Sequence, residues 1–181
     1  MGTNLYDMRA FWTILLVFVI STAATAQNNN LVPVPKTSES FPVGKKITYY
    51  NLKDIEGNKI SVDDLKGKIV VLNFWFIACP PCRKEMPGLN ELAFEFARKT
   101  DVVFIAIATD KKWTLKDFIK THPLAYHVIA EGQVFTDRYR IHTYPTNVVL
   151  DKNGIVRFSD EGFSNTTQYW LRNYINECEK E

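Results

Sequence analysis

Cysteine is scarce in this chain. Three cysteines among 181 residues cannot staple a fold, so a disulfide framework is excluded and the core must come from apolar burial. Histidine is as sparse. His122, His127 and His142 share no i, i+4 spacing, so surface or turn roles suit them and no second metal-ligand pair is offered. Charge of neither sign dominates: 22 Lys and Arg face 20 Asp and Glu. That balance leaves no nucleic-acid footprint and no acidic tail. No internal repeat or long low-complexity tract is present. The chain also lacks the apolar run of about 20 residues that a spanning helix needs, since the predominantly apolar stretch Phe11–Ile20 has only ten.

Ten residues is the length of a signal-peptide core, and Ala24-Thr25-Ala26 supplies an A-x-A cleavage signature behind it. Asp7 opposes Arg9, so the leading charge is weak, and an uncleaved anchor drawing on Ala10 to Ala26 is the alternative. Either outcome predicts export. Residues 1–26 are therefore expected to be a signal peptide or membrane anchor. The polar, proline-bearing stretch 27–40 (QNNNLVPVPKTSES) is expected as a linker, and 41–181 as one domain with room for a good core.

What is present is organised around Val70 to Pro87, VVLNFWFIACPPCRKEMP. It opens as a continuous run of strand-formers, which suits a strand buried on both faces. Cys79 and Cys82 follow, separated by Pro80 and Pro81, and then Met86, Leu89, Leu92 and Phe96 fall at helical spacing. Strand, CxxC, helix is the arrangement thiol-disulfide exchange requires. A helix start presents unpaired N–H groups and partial positive charge, which favour the thiolate, and the thiolate is the nucleophile. The two-residue spacer lets Cys82 attack a mixed disulfide formed at Cys79. A CxxC is also half of a common zinc site, but the strand before it and the helix after it favour the redox reading.

The remaining elements read in order. Two short strands flank the turn Glu56-Gly57-Asn58, a capped helical turn spans Ser61–Leu65, and Asp101–Thr109 is a second buried strand. Thr114–Lys120 and Gln133–Tyr139 read as short helices, and Tyr126–Ile129 as a short strand between them. Thr146–Leu150 and Ile155–Ser159 flank the turn Asp151-Lys152-Asn153-Gly154, and Thr166–Glu179 closes the domain as a helix. Helices interleaved with strands, ending in an antiparallel hairpin, predict an α/β structure with a mixed sheet. Trp75 and Cys178 are read as core, Cys178 as an inert thiol. Pro87 lies inside a helical pattern and is expected to kink it.

Together these features resemble the thioredoxin fold, and more narrowly the exported TlpA/ResA-like thiol-disulfide oxidoreductases of the redoxin, AhpC/TSA-like group. The likeness covers roughly Phe41 to Cys178. It rests on the hairpin leading to Leu65-Lys66-Gly67-Lys68, on VVLNFW-x3-CPPCRKEMP, on Tyr144-Pro145-Thr146 and on the LDKNG turn. The resemblance implies a mixed central sheet flanked by helices with an added N-terminal β-hairpin. It further implies that Cys79 is the exposed attacking cysteine, that Cys82 resolves, and that the bond before Pro145 is cis. Its loop would lie against the CxxC, with Tyr144 and Pro145 meeting the substrate. Two positions depart from the pattern: Ala78 stands where many members carry Trp, and Asn73 where thioredoxins proper carry Asp.

Since Asn73 cannot accept a proton, Glu85 is the candidate to assist Cys82, three residues along the same helix. The competing reading is a solvated acid favourable to the helix dipole. The resemblance implies no cofactor beyond the Cys79–Cys82 disulfide and no metal. It implies disulfide-bearing envelope proteins as partners, apocytochrome c among the candidate clients, a membrane thiol donor of the DsbD/CcdA type, and a periplasmic or cell-envelope location. Three rivals stand beside it. A peroxide-reducing redoxin would carry Thr where Phe76 stands, and a copper metallochaperone would carry CxxxC with a partnering His. The third is a non-catalytic envelope binding module with a structural disulfide.

Overall fold

The structure is a computed structural model that describes residues 32–48 and 50–181; the expected export segment, 1–26, lies outside the described residues. The hairpin forms as β1 (Leu52–Lys53) and β2 (Lys59–Ile60), paired antiparallel. Asp54 holds its turn, accepting from the backbone and side-chain nitrogens of Asn58 at 2.8 and 2.9 Å. Ser61 then caps α1 (Val62–Leu65): its hydroxyl accepts from Asp64 N while the Asp64 carboxylate accepts from Ser61 N.

The two apolar runs become the centre of the sheet. β3 (Ile69–Trp75) is buried at every residue, as a strand covered on both faces should be. It leads into α2 (Pro80–Phe96), which continues through Pro87. β4 (Val102–Ala108) lies parallel to β3, and α3 (Lys112–Thr121) returns the chain to β5 (His127–Ile129), parallel to β4. α4 (Gln133–Tyr139) precedes β6 (Thr146–Leu150) and β7 (Val156–Glu161), which run antiparallel on the other side of β3. The strand order is β5-β4-β3-β6-β7, and α5 (Thr167–Glu179) closes the chain. This is the mixed sheet with an added hairpin that the sequence predicts. α3 starts two residues before its predicted beginning, and β7 runs on to Glu161.

Alternation along β3 sorts the core into two faces. Val70, Leu72 and Phe74 pack with Phe41, Ile47, Leu65 and Ile141. Ile69 and Val71 meet Leu89, Leu92 and Phe96 of α2 and Leu171, Ile175 and Cys178 of α5. Each such large side chain withdrawn from water contributes about 1.5–3 kcal/mol. At the upper end of the sheet a third cluster gathers Trp75, Cys79, Cys82, Met86, Ala108 and Leu115.

Residues 32–40, inside the expected linker, lie against the domain. Thr166 Oγ1 and Trp170 Nε1 donate to Pro33 O at 2.7 and 2.9 Å, and Glu161 N donates to Lys36 O at 2.9 Å. The Lys36 ammonium also pairs with the Glu161 carboxylate.

Candidate active site

β3 ends at Trp75, and four residues later the chain turns into α2 with Cys79 as its N-cap. Pro80 and Pro81 occupy the first helical positions, where a missing N–H costs nothing. Cys79 and Cys82 are joined as a disulfide, S–S 1.98 Å, and Cys79 Sγ accepts a hydrogen bond from Cys82 N at 3.2 Å. One sulfur is therefore seated at the helix start, as the sequence predicts. The connecting loop is held from outside, because Ile77 N donates to Asp110 Oδ2 at 2.8 Å, just past the end of β4.

The resemblance implied an exposed Cys79, and this is corrected: Cys79 and Cys82 are each only 2% exposed. The physical reason is the disulfide itself. Each sulfur is bonded to the other, and both pack against Trp75, Met86 and Leu115 and the half-buried Phe76, Ile77 and Tyr144. Their neighbours Ala78 and Pro80 are exposed, so the pair lies directly beneath an open rim.

The loop before β6 forms one side of that rim. The Tyr144–Pro145 peptide bond is cis, and Gly162 N donates to Pro145 O at 2.8 Å. Tyr144 meets Phe76 edge-to-face with ring centroids 5.2 Å apart, and packs against the cluster that holds both cysteines. The structure thus brings Cys79, Cys82 and Tyr144 into one cluster, with Pro145 next to Tyr144 in the chain.

Glu85 lies one turn beyond Cys82 and is 4% exposed, so the solvated reading is overturned. Behind it a polar row crosses the sheet. Asn73 pairs in register with Asn147, and Asn147 with Asp160. Asn73 Nδ2 donates to Asn147 Oδ1 at 2.8 Å. Asn147 Nδ2 donates to Glu85 Oε1 and Oε2 at 3.2 and 3.1 Å and to Asp160 Oδ1 at 3.0 Å. Thr167 Oγ1 donates to Asp160 Oδ2 at 2.5 Å. Burial, reinforced by the Asp160 charge, pushes the Glu85 carboxyl up to about 8 against the bonds from Asn147 and Thr167. Burial likewise raises Asp160, over the opposing bonds from Thr167 and Asn147. A carboxyl that keeps its proton near neutrality can exchange it with a neighbouring thiol.

Asn147, Asp160, Thr167 and Asp110 escaped the sequence reading. A faint signal existed in Asn73 and Asn147, since a polar residue inside a fully buried strand needs a buried partner. Their partners come from strands and helices far along the chain, which no local pattern reveals. Cys178 is 1% exposed, and burial pushes its thiol up to about 11.

Comparison with known proteins agrees with this geometry. The pattern of the AhpC/TSA family matches residues 43–159. The thiol-disulfide oxidoreductase ResA of a Bacillus cereus strain is 37% identical over 119 residues, covering 65% of this chain and 69% of its own. The thioredoxin-like protein YneN of Bacillus subtilis (strain 168) is 34% identical over 63% of this chain and 68% of its own. Among solved structures, StoA from Bacillus subtilis superimposes with a TM-score of 0.61 at 25% identity, covering 72% of this chain and 98% of that one. The thioredoxin domain of a thiol-disulfide oxidoreductase from Bacteroides vulgatus gives 0.65 at 23%, over 75% and 99%, a likeness of fold.

Proposed function

The chain belongs to the AhpC/TSA family and is a thiol-disulfide oxidoreductase of the ResA-like group with a thioredoxin fold, and from that premise we propose that it is an exported reductant of protein disulfides. The observation that carries this reading is the Cys79–Cys82 pair at the head of α2, bordered by the Tyr144-Pro145 loop. In the dithiol form, the Cys79 thiolate attacks a client disulfide and one client sulfur leaves as a thiolate. Cys82 loses its proton and attacks Cys79 Sγ, which releases the second client sulfur and leaves the enzyme oxidised. Glu85 is the group that accepts the Cys82 proton. Tyr144 and Pro145 form the rim against which the client segment lies. The redox-active disulfide is the sole cofactor of this scheme.

Two electrons and two protons must return for the next turnover. In an oxidising compartment a membrane thiol donor of the DsbD/CcdA type fits that need, and apocytochrome c is the candidate client. Export rests on Phe11–Ile20 and Ala24-Thr25-Ala26, outside the described residues.

Cys82→Ser removes the resolving sulfur and traps whatever Cys79 attacks. Expressed in the native cell envelope, this variant is expected to accumulate covalent adducts that dithiothreitol releases, apocytochrome c among them. A broad mixture without apocytochrome c would replace the maturation role by general disulfide repair. No adduct at all would remove the exchange reading.

A further inference from the structure

Asp160 has no part in the exchange scheme above, yet it is fully buried beside the one carboxylate that does. Among the described residues, the four carboxylate oxygens of Glu85 and Asp160 face only the two hydrogens of Asn147 Nδ2, the hydroxyl hydrogen of Thr167 and, at Asp160, the backbone N–H of Asn147. Asn147 Nδ2 cannot donate further, and the side-chain oxygen of Asn147 is taken by Asn73. No Lys or Arg among the described residues forms an ion pair with either acid. The other charged or titratable groups around them are few. Cys82 is one turn back on α2. Tyr126 presents a buried hydroxyl without a partner among the described residues and is pushed up by burial and then by the Glu85 charge. Lys84 lines the rim of the outer cleft, its ammonium 4.5 Å from the centre of the Phe163 ring. Two buried carboxylates this close, with too few donors and no cation, cannot both be ionised cheaply.

We propose that Glu85 and Asp160 hold one proton between them at neutral pH and act as a single acid–base unit, with Asp160 the positioning residue that sets where Glu85 takes up and returns the Cys82 proton. This rests on the exchange reading and adds to it the group that tunes Glu85. The step balances. The singly protonated pair, with net charge −1, accepts the proton of Cys82. Cys82 Sγ then bonds to Cys79 Sγ, and the client sulfur departs as a thiolate. The neutral pair afterwards gives one proton to solvent. A cleft of about 220 Å³ reaches Glu85 and Thr167 from the α2–α5 side and offers that exit. Re-reduction runs the same transfer backwards.

The decisive measurement is the titration of the two carboxyls, followed by carbon-13 NMR in the oxidised protein, beside the pH profile of insulin-disulfide reduction. Asp160→Asn keeps the shape and removes the charge. It is expected to lower the Glu85 midpoint by about one pH unit or more and to move the activity profile down with it. Asp160 loses its proton first, while Glu85 is still neutral, so Glu85→Gln is expected to remove the upper midpoint and leave the lower one in place. Thr167→Val removes the donor to Asp160 and is expected to move that midpoint up, which serves if Asp160→Asn fails to fold. A Glu85 midpoint unchanged in Asp160→Asn, or an Asp160 midpoint unchanged in Thr167→Val, would overturn the pairing. Shifted midpoints with an unmoved activity profile would overturn its part in the reaction. Exchange that survives Cys79→Ser would instead remove the reading beneath it.

Discussion

One backbone N–H, that of Ile77, ties the loop ahead of Cys79 to the end of the neighbouring strand through Asp110. A hydrogen bond to a carboxylate contributes about 1.5–3 kcal/mol, and here it fixes the loop that presents the disulfide. Asp110→Ala is expected to lower the stability of the oxidised protein by roughly that amount, read by urea denaturation. Asp110→Asn keeps an acceptor oxygen and should retain most of the stability. Equal losses from both would show that the charge matters and the bond does not. At this scale the sequence was uneven. Cys79 and Cys82 were legible because their chemistry is written in four consecutive residues. Glu85 was half legible: its spacing from Cys82 was plain, but its burial under α5 was not. Asp110 and Asp160 were silent because they reach the site from distant parts of the chain.

The hairpin of β1 and β2 is held to the sheet edge by few contacts. Ile55 N donates to Val128 O at 2.8 Å, and His127 Nδ1 lies 2.9 Å from Asp54 Oδ2. Burial tends to raise Asp54, but the bonds from His127 and Asn58 outweigh it and hold the carboxyl below its usual range. Its contribution is therefore present above the ordinary carboxylate midpoint and lost as pH falls through the lowered one. Asp54→Ala is expected to speed amide exchange at Ile55 by at least tenfold, about 1.4 kcal/mol of local opening, while β3 amides hold. Unchanged exchange at Ile55 would mean the hairpin is held otherwise. Elements were the most legible scale, and α4 and β6 end where the pattern put them. The sequence alone suggests a surface or turn role for His127, because its partner lies 73 positions earlier, in the hairpin.

For the whole molecule, the buried acid pair gives stability an uncommon direction with pH. The folded Glu85 midpoint, about 8, lies above its ordinary 4.5, so the folded state binds the proton more tightly. The stabilisation is complete below about pH 4.5 and is lost as pH rises through about 8, a change on the order of 5 kcal/mol. The melting temperature of the oxidised protein is expected to fall from pH 5 to pH 8, and Glu85→Gln to flatten that fall. Parallel curves for the two proteins would show that Glu85 holds no proton there.

Apolar runs, helical spacing and turn residues act over a few neighbours, so the sequence alone determined the order of strands and helices and the seat of the disulfide on α2. It could not determine which buried strands lie side by side, because any apolar run can cover another. Register is what set Asn73, Asn147 and Asp160 in one line, and the packing of α2 and α5 on that face is what shut Glu85 away from water. Tertiary structure alone decided the protonation of the site, since desolvation depends on every element that closes around a charge.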